Sequence, residues 1–101
     1  MVLMEMSVFP LGADESVSPF VARCLEIIDQ SGLDYEFGAM GTTIEGELDE
    51  VLAVLRQCVE NVATDNNRVI CSAKFDYRKG PGGRVAAKTS SVEQKLGKKL
   101  R

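Results

Sequence analysis

Side chains that can bind a charged or hydrogen-bonding ligand recur at alternate positions in three segments of this 101-residue sequence. Alternation of this kind places the side chains on one face of a strand. Carboxylates outnumber the single lysine in the set, and buried carboxylates need partners, so a face that gathers them favours a cationic or amino-bearing ligand. The set consists of Glu5 and Ser7, Thr43 and Glu45, and Ser72, Lys74 and Asp76.

A solvated sheet face is the ordinary explanation of such a polar set, because antiparallel sheets commonly leave one face in water. Leu3, Phe9 and Ile70 have the same parity, however, so the face is mixed. Exposed apolar groups among polar ones indicate a protein interface, and the simplest partner is a second copy of the same sheet.

The cysteines and the absence of histidine exclude several kinds of chemistry. Cys24, Cys58 and Cys71 are far apart, form no CxxC motif, and stand in a chain with no histidine. The usual zinc sites and histidine-based triads are therefore excluded, and no metal site is predicted. The apolar surroundings of the three cysteines predict small, buried, reduced side chains.

Composition predicts one globular domain over residues 1–101, since 45% hydrophobic and 27% charged residues are ordinary for such a protein. The net charge of −3 lacks the basic footprint of a nucleic-acid binder. The apolar runs are too short to cross a bilayer and the start does not read as a signal peptide, so we expect a cytoplasmic protein without membrane or nucleic-acid partners.

Hydrophobic periodicity divides the chain into six elements followed by a C-terminal helix. Ser18 and Pro19 mark the start of the first helix, and Gly32 marks its end. The predicted ranges are strand 2–9, helix 19–31, strands 34–39 and 42–46, helix 48–62, strand 68–78 and helix 84–98. The order β-α-β-β-α-β predicts an α+β, ferredoxin-like sandwich with a four-stranded antiparallel sheet, both helices on one face, and an extra C-terminal helix.

Three motifs resemble the small thiamine-binding protein family, and together they cover nearly the whole chain. They are VFPLG at 8–12, Y-E-x-x-x-M-G-T-x-x-E at 35–45 and KFDYR at 74–78, of which MGTxxE after a YE strand is the most specific. The resemblance implies a ferredoxin-like fold assembled into homodimers and homotetramers, with sheets packed face to face. It also implies binding of thiamine, or of its hydroxymethylpyrimidine part, at or near the subunit interface, without enzymatic activity.

The candidate ligand-binding residues combine these motifs with the chemistry of the ligand. Glu45 can accept from the exocyclic amine or offset the thiazolium charge, and hydroxyls such as that of Ser7 can serve the ring nitrogens. Gly41 permits close approach of the backbone, and apolar side chains supply walls for flat rings. The full set is Ser7, Pro10, Leu11, Gly12, Met40, Gly41, Thr42, Thr43, Glu45, Phe75, Asp76 and Arg78.

Structural roles remain open for several of these residues. Gly41 can simply close a hairpin, Met40 and Phe75 can belong to the core, and Asp76 and Arg78 can pair with each other. The predicted function is non-enzymatic binding of thiamine or a related pyrimidine, as a carrier, buffer or sensor, with no other cofactor. The alternative is a regulatory or scaffolding module that only oligomerises.

Two further classes are disfavoured. A small phosphatase on this fold needs an arginine-bearing anion loop after the first strand, whereas PLGADES is acidic there. RNA binding on the sheet surface needs stacking aromatic residues on the central strands, where polar residues stand instead.

Overall fold

The chain folds into a four-stranded antiparallel sheet with two helices on one face, which confirms the predicted ferredoxin-like α+β sandwich. The computed structural model describes residues 1–12, 17–83, 85 and 92–97. The elements are β1 (Val2–Pro10), α1 (Ser18–Gln30), β2 (Asp34–Phe37), β3 (Thr42–Gly46), α2 (Leu48–Ala63) and β4 (Val69–Tyr77). A short extra helix at 92–96 is also present, and most of the remainder of the predicted helix 84–98 lies outside the described residues.

The strand order is β2-β3-β1-β4, so β1 lies between β3 and β4 and is antiparallel to both. On one face of β1, Met4 lies opposite Ile44 and is fully buried beneath the helices. On the outer face, which is the face opposite the helices, Glu5 lies between Thr43 and Lys74. The predicted parity of the polar set is therefore correct.

The helices begin and end where local chemistry favours it. Pro19 stands in the first turn of α1, which begins one residue earlier than predicted, and Gly32 follows the helix with a φ of +76°. That conformation suits glycine at a helix C-terminus. At the start of α2, the backbone N–H of Glu47 donates to a carboxylate oxygen of Glu50 at 2.9 Å, as part of a capping box.

The core lies between the helices and the central strands. The helical stripes of α1 and α2 predicted by periodicity supply one side, and the alternate residues of β1 and β3 supply the other. The buried apolar residues are Val2, Met4, Met6, Val8, Cys24, Ile28, Ile44, Val51, Val54, Cys58 and Val62.

Arg23 of α1 fastens the C-terminal end of α2. Its guanidinium donates to the Asn61 side chain at 2.8 Å and to the Asp65 carboxylate at 3.0 and 3.1 Å. It also donates to the main-chain carbonyl of Asn61, one of the last carbonyls of the helix. A cation at this end of α2 is favoured by the helix dipole. Because the contact joins a side chain of α1 to the end of α2, it fixes the two helices relative to each other.

Strand β4 differs from expectation in its exposure. Phe75 and Tyr77 lie on the helix side of the sheet, as predicted, yet they are 41% and 61% exposed. The reason is position, because β4 is an edge strand and the helices are centred on β1. Cys71 is exposed on the same strand, so the prediction that all three cysteines are buried is correct for Cys24 and Cys58 and wrong for Cys71.

Candidate ligand-binding cleft

The turn between β2 and β3, residues 38–41, has glycine at its first and last positions and approaches β1 closely at Gly41. A Cβ on Gly38 would be 2.7 Å from the carbonyl oxygen of Gly41. A Cβ on Gly41 would be 3.2 Å from the carbonyl oxygen of Met6 and 3.3 Å from Cγ of Glu5. A side chain at position 38 would clash within the turn, and one at position 41 would press against β1.

Beyond this turn, β1 continues without β3 beside it. The pairing of β1 with β3 ends at Met6, whereas β1 runs to Pro10. On the β4 side, the N–H groups of Met1 and Leu11 donate to the main-chain oxygens of Arg78 at 3.0 Å and Arg68 at 2.9 Å. Main-chain groups point to opposite sides from one residue of a strand to the next, and Val8 is an odd number of residues from both Met1 and Leu11. The N–H and C=O of Val8 therefore point away from β4, toward the turn.

A cleft of about 590 Å³ occupies the space between this end of β1, the turn and α1. Its volume falls within the range of small-molecule sites, roughly 300–1,000 Å³. None of the described residues that line it carries a charge, and the hydroxyl-bearing residues along it are Ser7, Ser18 and Thr42. Apolar walls are formed by Met6, Val8, Val21, Leu25, Ile28 and Phe37.

Four of the predicted ligand-binding residues meet at this cleft. Ser7, Met40, Gly41 and Thr42 all line it. Thr42 is buried and faces the helices, directly opposite Met6. Met40 is 93% exposed at the mouth of the cleft, so it does not belong to the core. An uncharged cleft with apolar walls and hydroxyls suits a flat, neutral heteroaromatic ring.

Glu45 lies in a different place, on the outer face of the sheet. It stands three positions after Thr42 on β3 and therefore points to the opposite side, roughly 10 Å farther along the strand. The carboxylate is only 2% exposed, and its Oε1 accepts a hydrogen bond from the backbone N–H of Gly83 at 2.7 Å. A Cβ on Gly82 would be 3.3 Å from the same oxygen, so the segment after β4 passes closely over Glu45. Thr43 shares this outer face and is half-buried.

The other predicted residues do not line the cleft. Pro10 is buried at the end of β1, and Leu11 and Gly12 are exposed in the turn that follows. Phe75, Asp76 and Arg78 lie along the C-terminal half of β4 and just after it, where the Arg78 Nε is 3.6 Å from the Asp76 carboxylate. The ligand roles of these residues remain predictions.

Within the described ranges, no group of three or more histidine, cysteine or acidic side chains is placed to hold a metal ion. Over the same ranges, no helix is both long and apolar enough to cross a membrane.

Comparison with known proteins assigns the family. The model of the family described as thiamine-binding protein matches residues 4–93. The chain belongs to the thiamine-binding protein family. The resemblance drawn from the three sequence motifs is thereby confirmed.

Relatives of this family member span most of its length. UPF0045 protein MJ1052 of Methanocaldococcus jannaschii is 38% identical over 95 residues, covering 94% of this chain and 88% of the relative. Its crystal structure superposes with a TM-score of 0.82 at 35% identity, over 92% of this chain and 96% of that chain. The crystal structure of a candidate thiamine biosynthesis/salvage protein of Thermotoga maritima matches with a TM-score of 0.77 at 25% identity, over 90% of this chain and 97% of that chain.

Sequence reasoning missed the α1 wall of the cleft in this thiamine-binding protein family member. Val21, Cys24 and Ile28 fall on one helical stripe of α1, and a stripe alone does not tell core from pocket. The position of Phe37 at the cleft could have been predicted, because an aromatic residue directly before Gly38 stands at the end of a strand, where the chain leaves the sheet. The position where β1 and β3 part is what creates the cleft, and it depends on register.

Proposed function

We propose that this protein binds thiamine without catalysing a reaction, and that the cleft receives the hydroxymethylpyrimidine part. The observation that supports this most is the lining of the cleft, which is apolar, offers hydroxyls and carries no charge among its described residues. A neutral ring enters such a site without leaving a buried charge unpaired. A phosphate group would lose its hydration there and gain no cationic partner from that lining.

The main chain of β1 supplies the polar recognition in this proposal. An aminopyrimidine presents an amine donor beside a ring-nitrogen acceptor, and Val8 offers a carbonyl acceptor and an N–H donor toward the cleft. The buried hydroxyl of Thr42 both donates and accepts, so it can bond a second ring nitrogen. The apolar walls then hold the faces of the ring.

The cationic thiazolium lies at the mouth of the cleft in this arrangement. Phe37 and Met40 are exposed there, 55% and 93% respectively. Exposed apolar groups at the mouth favour cover by a second subunit, in line with the homodimer and homotetramer implied by the family resemblance. The protein then acts as a carrier, buffer or sensor.

Calorimetric titration with thiamine and with hydroxymethylpyrimidine tests the proposal. Replacement of Thr42 by valine removes the hydroxyl at nearly constant volume, and we expect about tenfold weaker pyrimidine binding, since a hydrogen bond contributes roughly 0.5–1.5 kcal/mol. The matched control is Thr43→Val, one position along on the outer face, which should bind within about twofold of the wild type. Absence of heat and of any thermal stabilisation at millimolar ligand would refute the function.

An oligomerisation module without ligand is the second candidate, and the exposed Phe75 and Tyr77 on β4 favour it. This function predicts assembly of folded protein in analytical ultracentrifugation. It also predicts no change of thermal stability with any thiamine-like compound, because a ligand that binds only the folded form must raise stability.

A further inference from the structure

Two thiols meet in the core directly behind the cleft. Cys24 lies in the middle of α1 and Cys58 in α2, and both are buried. The Cys58 thiol donates to the main-chain oxygen of Cys24, with Sγ 3.8 Å from that oxygen. The two helices are therefore close at this point, and the Cys58 sulfur lies beside the Cys24 residue.

Access to the two thiols is unequal. Cys24 is among the residues that line the cleft, whereas Cys58 is fully buried and does not line it. The neighbouring Cys58 thiol and the charge of Arg23 lower the pKa of Cys24, and burial opposes them. The neighbouring Cys24 thiol and burial raise the pKa of Cys58. Negative charge is favoured on the thiol that a small molecule in the cleft can reach, and the thiolate is the reactive form.

We propose that Cys24 and Cys58 form a reversible disulfide when a hydroperoxide enters the cleft, and that the disulfide weakens ligand binding. The Cys24 thiolate attacks the distal peroxide oxygen, the O–O bond breaks, and the departing alkoxide or hydroxide takes a proton to leave as alcohol or water. Cys58 then attacks the sulfur of the Cys24 sulfenic acid, and its proton leaves with the hydroxyl as water. Two thiols are oxidised and one peroxide is reduced.

The disulfide would move a wall of the cleft. Cys24 lines the cleft and Cys58 does not, so a sulfur–sulfur bond of about 2 Å draws the Cys24 side chain out of the cleft wall toward α2. The wall between Val21 and Leu25 then loses its Cys24 contact with a bound ring. This half of the proposal rests on the proposed function, and by linkage a bound ligand must oppose oxidation.

The first experiment needs no ligand. Cys71→Ser removes the exposed thiol and leaves the core intact. After treatment with hydrogen peroxide and denaturation, we expect loss of both remaining thiols, a Cys24–Cys58 bridge in the peptide mass map, and full recovery with dithiothreitol. In the same background, Cys58→Ala should instead leave a Cys24 sulfenic acid that dimedone labels. Two titratable thiols after peroxide, or overoxidised Cys24 without a bridge, would overturn the proposal.

The second experiment compares hydroxymethylpyrimidine binding by the reduced and oxidised forms of the Cys71→Ser protein. We expect at least tenfold weaker binding after oxidation, and slower oxidation when the reduced protein is saturated with hydroxymethylpyrimidine. Equal affinity in both forms overturns the link between the disulfide and binding. If neither form binds the pyrimidine, the proposed function fails together with that link, while the dithiol chemistry is judged by the first experiment alone.

Discussion

Glu45→Gln separates the two places in which the predicted ligand-binding residues lie. The substitution keeps the shape of the side chain and removes its charge. In the folded protein the Glu45 carboxylate accepts the Gly83 N–H at 2.7 Å on the outer face, away from the cleft. We therefore expect the variant to lose stability and to keep its affinity for the pyrimidine.

The expected loss follows from the difference between two kinds of hydrogen bond. A bond to a charged group contributes roughly 1.5–3 kcal/mol, and a neutral bond roughly 0.5–1.5 kcal/mol. Glutamine retains an oxygen for the Gly83 N–H, so the free energy of unfolding should fall by about 1 kcal/mol. For a domain of this size that corresponds to a melting temperature lower by about 4–8 °C.

Urea denaturation measures the stability of the variant, hydrogen exchange reports on the Gly83 amide, and calorimetry measures the affinity for the pyrimidine. The amide of Gly83 should exchange faster in Glu45→Gln, while pyrimidine affinity stays within about twofold of the wild type. Glu5→Gln is the matched control, because Glu5 is an exposed carboxylate on the same outer face, and its stability should not change. Binding weakened tenfold or more by Glu45→Gln, about 1.4 kcal/mol, with unchanged exchange at Gly83, would show that the ligand contacts Glu45 and would refute the assignment to the cleft.

Two further predictions concern stability. Gly46→Val should lower the free energy of unfolding by about 1–3 kcal/mol, because a Cβ at this buried position would lie 3.1 Å from Cδ2 of Leu33; urea denaturation measures the loss, and an unchanged midpoint would contradict it. The Arg23 hydrogen bond lowers the pKa of Asp65 below its ordinary value, so this carboxylate stabilises the fold above the ordinary pKa, and the contribution disappears as pH falls through the lower, folded-state pKa. Asp65→Asn should therefore show a smaller decrease in stability on acidification than the wild type, and parallel pH profiles would count against the contact.

The elements of this fold could be predicted because their signals are local. Alternation along β1, the stripe of α1 and the glycine at position 32 each report on a few consecutive residues. The parity of Glu5 and Glu45 follows from the same local rule, and the register of the sheet agrees with it. Membership of the family likewise rests on short motifs at fixed spacing.

The candidate site could be predicted only in part, because it depends on contacts between distant segments. The Gly83 amide that bonds Glu45 is 38 residues away in sequence, and the local sequence around either residue does not predict the contact. The cleft exists because β1 continues beyond Met6, where its pairing with β3 ends. The point at which the pairing ends is a property of register. The exposure of Cys71 depends on which strand the helices cover, and strand periodicity carries no information about that.

The position of β1 in the sheet also has a consequence for the order in which the chain can fold. The longest ladder in the sheet joins β1 to β4, pairing Val2 with Tyr77 and Pro10 with Val69. Pairings of such large sequence separation form slowly, because closing the intervening loop costs entropy before any contact is made. During synthesis, one edge of the central strand must wait until β4 has left the ribosome. We expect the slow step of folding to be the docking of β4, with β1, α1, the β2–β3 hairpin and α2 already associated.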